Sequence, residues 1–89
     1  MPYIPKESRI AYDPIIRQFV DTLKYAAEDK IDGHINYVFS SILKNIYAPP
    51  SYYKYNRLIG VLECIKFEFY RRWISVYEEQ KKNENGDII

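Results

Sequence analysis

Apolar residues recur at helical intervals in three stretches of this chain, and the third stretch carries them on two faces. From Ser51 to Lys82 there is no proline and a single glycine, Gly60. Tyr55, Leu58, Ile59, Leu62, Ile65, Phe69, Trp73 and Val76 form the main stripe. At about 100° per residue they fall within about a third of a helix circumference. A second set, Gly60, Phe67, Tyr70, Ile74 and Tyr77, with Asn56 and Glu63 in register, advances by alternating steps of four and three. That alternation is heptad spacing, the pattern of one helix lying along another. The pattern predicts a helix over residues 52–82, opened by Ser51. Its main stripe is expected to pack on the rest of the chain. Its second face, centred on Gly60, Glu63, Phe67, Tyr70 and Ile74, is expected to meet another subunit or to dock the N-terminal arm, with Gly60 permitting close approach.

Two shorter periodic stretches precede it. Asp13-Pro14 reads as a helix start, because aspartate caps free amides and proline suits the first helical position. Ile15, Ile16, Phe19, Val20, Leu23, Ala26 and Ala27 follow on one stripe, which predicts a helix over 14–29 that Gly33 finally breaks. Ile35, Val38, Phe39, Ile42, Leu43 and Ile46 predict a second helix over 34–47, with Asp32 as a cap and Pro49-Pro50 as its stop. Pro2 and Pro5 disfavour helix around them, so residues 1–12 read as an extended arm. Residues 83–89 read as a polar tail with a turn at Asn85-Gly86. The expected fold is therefore all-α: one domain over 1–89, three helices, a long C-terminal helix and an N-terminal arm.

Size sharpens this picture. A chain of 89 residues buries only a modest fraction of its surface when alone. A long helix that is apolar on two sides therefore implies assembly, so a homo-oligomer is expected. Ten tyrosines point the same way, since tyrosine offers a large, stiff contact surface with a polar tip. The same residues serve equally well at the rim of a small core. The net charge is +1, which supplies no overall field for nucleic acid or membrane. Lysines and arginines are interleaved with acids, unlike a surface that reads DNA, so a nucleic-acid partner is not expected.

Little in the chain resembles catalytic machinery. The single histidine, His34, and the single cysteine, Cys64, have no evident partner. No phosphate loop, metal-ligand spacing or converging pair of carboxylates occurs, so neither an enzyme nor a cofactor or metal is expected. Glu68 with Arg72 and Glu78 with Lys82 have the spacing of helix-surface ion pairs. One cysteine permits no internal disulfide, and the first residues lack the basic and apolar segments of a secretory signal. No apolar run approaches the length of a membrane span. A cytoplasmic protein is expected.

One constellation invites a ligand. Tyr47, Tyr52, Tyr53, Lys54 and Arg57 cluster around the start of the third helix. A helix N-terminus exposes unpaired amides that attract phosphate. Arginine grips phosphate through paired hydrogen bonds, and tyrosine rings stack on bases. A small nucleotide is the ligand this combination would take. The other reading is structural: tyrosines packed on the neighbouring helix beside solvated lysine and arginine.

The phrases Tyr3-Ile4-Pro5-Lys6-Glu7, Asn36-Tyr37-Val38, Gly60-Val61-Leu62-Glu63-Cys64, Glu68-Phe69-Tyr70-Arg71-Arg72 and Glu84-Asn85-Gly86-Asp87 together resemble a family of small uncharacterised proteins of bacteriophages, prophages and some bacteria and archaea. The resemblance brings no catalytic or ligand residues. It implies a phage-like setting, in which the protein would act in the host cytoplasm, and it implies that both ends of the chain belong to the fold. Phages encode small proteins that sequester nucleotide alarm signals of host defence. Two functions are therefore expected as alternatives, with a nucleic-acid-binding accessory role ranked behind both. One is a non-catalytic binder of a nucleotide signal. The other is a module that inhibits or adapts a host protein through the second face of the long helix.

Overall fold

The computed structural model describes residues 3–89; Met1 and Pro2, both part of the expected arm, lie outside the described residues. The fold is all-α, with no strand among the described residues. By contacts the chain divides into two units, one ending at Ala48 and one spanning Pro49–Ile89.

The first unit contains three helices: α1 (Lys6–Arg9), α2 (Asp13–Leu23) and α3 (Ile31–Ile46). The extended arm expected over 1–12 is replaced in part by the turn of α1. Pro5 sits just ahead of that turn in an extended conformation (φ −57°, ψ 150°), where its missing N–H costs nothing. Arg9 then reaches back, and its Nε and Nη2 donate to the Ile4 carbonyl at 3.3 and 3.1 Å.

α2 starts where Asp13-Pro14 predicts, with proline in the first turn, but Tyr12 holds the cap position and no side chain caps the helix. It also ends at Leu23, well before residue 29. Tyr25 and Ala26 donate to the carbonyls of Thr22 and Leu23, three residues back, so the last turn tightens and closes the helix. Ala26 and Ala27 thus leave the predicted stripe. α3 in turn begins at Ile31, with Gly33 and Asp32 inside its first turn and Lys30 at the cap. A glycine in a first turn does not interrupt the ladder, so Gly33 fails as a breaker. α2 and α3 touch one another. Leu23, Ile31, Val38 and Leu43 are half-buried in this unit, and none of the described residues is fully buried.

The second unit is one continuous helical rod of 34 residues. It comprises α4 (Tyr52–Phe69), a π segment (Tyr70–Ile74) and α5 (Ser75–Asn85). Ser51 is the cap foreseen from sequence: it is extended (φ −155°, ψ 156°) and its Oγ accepts the Lys54 N–H at 3.1 Å. The helix runs three residues past Lys82, and Gly86 stops it. Gly86 has a positive φ of 89°, and its N–H closes the last turn on the Lys82 carbonyl at 2.8 Å. Ile88 in the tail beyond it is 96% exposed. No helix among the described residues is long and apolar enough to cross a membrane.

Candidate functional site

The π segment is the feature that the sequence pattern did not disclose. The Tyr70 carbonyl accepts the Ser75 N–H, five residues on, and also the Ser75 hydroxyl at 2.7 Å. The second donor secures a carbonyl whose ordinary partner four residues on has been passed over. A π turn takes in one residue more than an α turn. The side chains beyond it are therefore set back by about one residue's rotation, about 100°.

This changes which side chains share a side of the rod. Tyr77 takes the angular place that Val76 would hold in an uninterrupted helix, and so joins Leu62, Ile65, Phe69 and Trp73. The second face keeps Gly60, Glu63 and Phe67, all in α4. Its later members Tyr70 and Ile74 fall within the π segment and lean toward the main stripe, and Tyr77 leaves the face. The heptad reading thus holds up to Phe67 and loses register beyond it.

Around the π segment the side chains are tied to each other. Glu68 accepts from Arg71 at 2.8 Å and from Arg72 at 3.3 Å. The Arg72 guanidinium lies 4.8 Å from the centre of the Trp73 ring system, and Trp73 meets Phe69 with centroids 4.8 Å apart, tilted by 51°. On the second face Glu63 pairs with Lys66 at 3.5 Å, and Lys66 lies over the Phe67 ring at 5.6 Å. Phe67 is 62% exposed and Trp73 50%. A rod that is the only element of its unit has nothing within that unit to cover them. The predicted Glu68–Arg72 pair forms, whereas Lys82 pairs with Glu79 at 3.0 Å and not with the predicted Glu78.

At the head of the rod, Tyr52, Tyr53, Lys54 and Arg57 occupy the first two turns of α4. Tyr52 is 84% exposed and Tyr53 71%. The Arg57 guanidinium sits 5.5 Å from the Tyr53 ring centroid, a cation–π distance. The amide of Lys54 is taken by Ser51. Tyr47 belongs to the first unit, where it is half-buried at the end of α3 and its N–H donates to Leu43. Of the five residues foreseen for a ligand, Tyr47 thus falls in the first unit, and the other four stand together on α4.

In the first unit, Tyr3, Ile4, Arg9, Tyr12, Asp13 and Ile16 line an open cleft of about 370 Å³. Sequence reasoning missed it because the arm was expected to be extended. No group of three or more histidine, cysteine or acidic side chains among the described residues is placed to hold a metal ion. Cys64 is exposed and unbridged.

A family model described as a domain of unknown function, DUF6899, matches residues 1–88. The chain belongs to that family. The match takes in both ends of the DUF6899 chain, the segment of α1 and the turn at Gly86 included. No curated protein and no solved structure matches it.

Proposed function

We propose that this DUF6899 protein is a non-catalytic binding module that works by helix contact along residues 52–85. The observation that carries the reading is the rod itself: it is alone in its unit, with Phe67, Tyr70 and Ile74 at its surface beside a glycine-bearing stretch of α4. A face with large aromatic anchors, its Glu63 already paired with Lys66, suits a protein partner. In a phage-like setting that partner would be a host protein in the cytoplasm, inhibited or redirected by the contact. Phe67→Asp and Tyr70→Glu test this. Capture of a partner, identified and then reconstituted from purified components, is expected to fail in both variants while the helical circular dichroism survives. Unchanged binding in both would refute it.

A second reading is supported by the head of α4. Two exposed tyrosine rings, with Arg57 against one of them and Lys54 alongside, combine stacking surface with positive charge at a helix N-terminus. A small nucleotide of host defence, sequestered without chemistry, is the ligand such a cluster would take. Arg57 would have to leave the Tyr53 ring or be sandwiched with the base. Calorimetry against cyclic nucleotides is expected to show binding that disappears in Arg57→Ala, and the absence of heat with all of them would remove this reading. Helix contact is preferred because Ser51 and Tyr53 already engage two of the groups that would receive the phosphate.

A further inference from the structure

We infer that residues 52–85 pair with the same segment of a second copy of this chain, antiparallel, about a two-fold axis close to Phe69. The inference goes beyond the proposed function, while resting on its reading of the rod as the contact element, and it uses the other side of that rod.

Three observations converge. The first is continuity of the apolar stripe. With the π segment in place, Leu58, Leu62, Ile65, Phe69, Trp73 and Tyr77 lie along one side, so the stripe extends through the segment into α5. An uninterrupted helix would have carried Val76 there instead.

The second is where the bulk sits. Phe69 falls within one residue of the rod's midpoint, and the Phe69–Trp73 ring contact gathers the largest side chains there. A two-fold contact repeats every interaction about its axis, so the strongest cluster is best used when it lies on that axis.

The third is charge. From Tyr52 to Leu62 the rod carries Lys54 and Arg57 and no acid. α5 carries Glu78, Glu79 and Glu84 against Lys81 and Lys82. Within the chain Glu79 pairs with Lys82 at 3.0 Å and Glu84 with Lys81 at 3.2 Å, which leaves Glu78, with Asp87 beyond the helix, as the surplus. The rod is thus basic at one end and acidic at the other. Parallel copies would set like charge on like. Antiparallel copies set Lys54 level with Glu84 of the second copy on the same flank of the stripe, while opposing the two helix dipoles favourably. A surface whose charge inverts about its own midpoint is self-complementary, which is what a second copy requires and an unrelated partner does not.

The test uses the full chain and sedimentation equilibrium. The unmodified protein is expected to associate in even-numbered assemblies. Reversing one end, Lys54→Glu with Arg57→Glu, is expected to weaken association about tenfold, since the attraction between opposed ends turns repulsive. Reversing the other end, Glu78→Lys with Glu84→Lys, is expected to do the same. All four substitutions together should restore it, because the charge map is then inverted at both ends. A parallel pair would not be rescued in this way. Phe67→Asp lies off the stripe and should leave the mass unchanged. A monomer at every concentration overturns the inference, as does a fourfold variant no tighter than its parents. If Phe67→Asp dissociates the copies while the charge reversals do nothing, copies meet through the other face; the inference then falls although the rod remains the contact element.

Discussion

Gly60 lies in the interior of α4, and a Cβ built on it would meet nothing within 4 Å. Glycine in a helix interior costs about 0.8–1.0 kcal/mol relative to alanine, because the unfolded chain is freer and backbone is left bare. Gly60→Ala therefore has one available effect inside the chain, a gain of about 1 kcal/mol. For a domain of this length that raises Tm by about 4–8 °C. Outside the chain the sign reverses. If a partner helix approaches closely over Gly60, the added methyl holds it off, and binding through the Gly60–Phe67 face weakens while the free protein becomes more stable. Thermal unfolding followed by circular dichroism, at fixed protein concentration so that association does not move Tm, reads the first effect. Titration with the reconstituted partner reads the second. Gly33, also helical with open space around it, serves as the control: Gly33→Ala is expected to stabilise without touching binding. A fall in Tm for Gly60→Ala would refute the reasoning, since it would mean that another part of the folded chain already occupies the space.

Ser51→Ala removes the acceptor for the Lys54 N–H and is expected to cost about 1 kcal/mol in denaturant unfolding, with Ser51→Gly costing only a few tenths and Ser51→Asp nothing; equal losses in all three would deny the cap. Deleting one residue from the π segment should return the rod to uninterrupted α-helix, keep or raise helicity, and preserve self-association, because the residues beyond it, Tyr77 included, keep their angular places once the extra residue is gone; loss of association in a variant that is still helical would show that the stripe does not continue into α5. Glu68→Gln loses the charged partner of Arg71 and Arg72. Because both arginines are largely exposed, the expected cost is below about 1 kcal/mol and shrinks in high salt, and a larger, salt-independent loss would contradict it.

The parts legible in the sequence were those fixed by local chemistry. Ser51 behind two prolines forces a helix start with its own side chain, and the start lies where it stands; Gly86 was legible as a turn, although the helix was expected to stop at Lys82 and runs on to meet it. The all-α class followed from periodicity alone. Boundaries set by competition were less legible: α2 stops at Leu23 because a tightened turn, and not a breaker residue, ends it, and Gly33 is absorbed into a first turn that tolerates it. The π segment had no signature in a count of apolar steps. Periodicity assumes a constant angle per residue, so a reading built on it carried the second face past Phe67 into residues that the wider turn had rotated away. The tyrosine-rich head was legible as a cluster, whereas the seating of Arg57 on the Tyr53 ring was not, since spacing places two residues on neighbouring turns without saying which rotamers they choose.

The wide turn between Tyr70 and Ile74 also bears on how relatives of this chain should be aligned. A DUF6899 sequence one residue shorter across that stretch would have a plain helix there, and its last three turns would present the same flank, since the wide turn is what absorbs the extra residue here. A single-residue gap at that place would therefore mark a residue gained or lost without turning the end of the helix to a new neighbour.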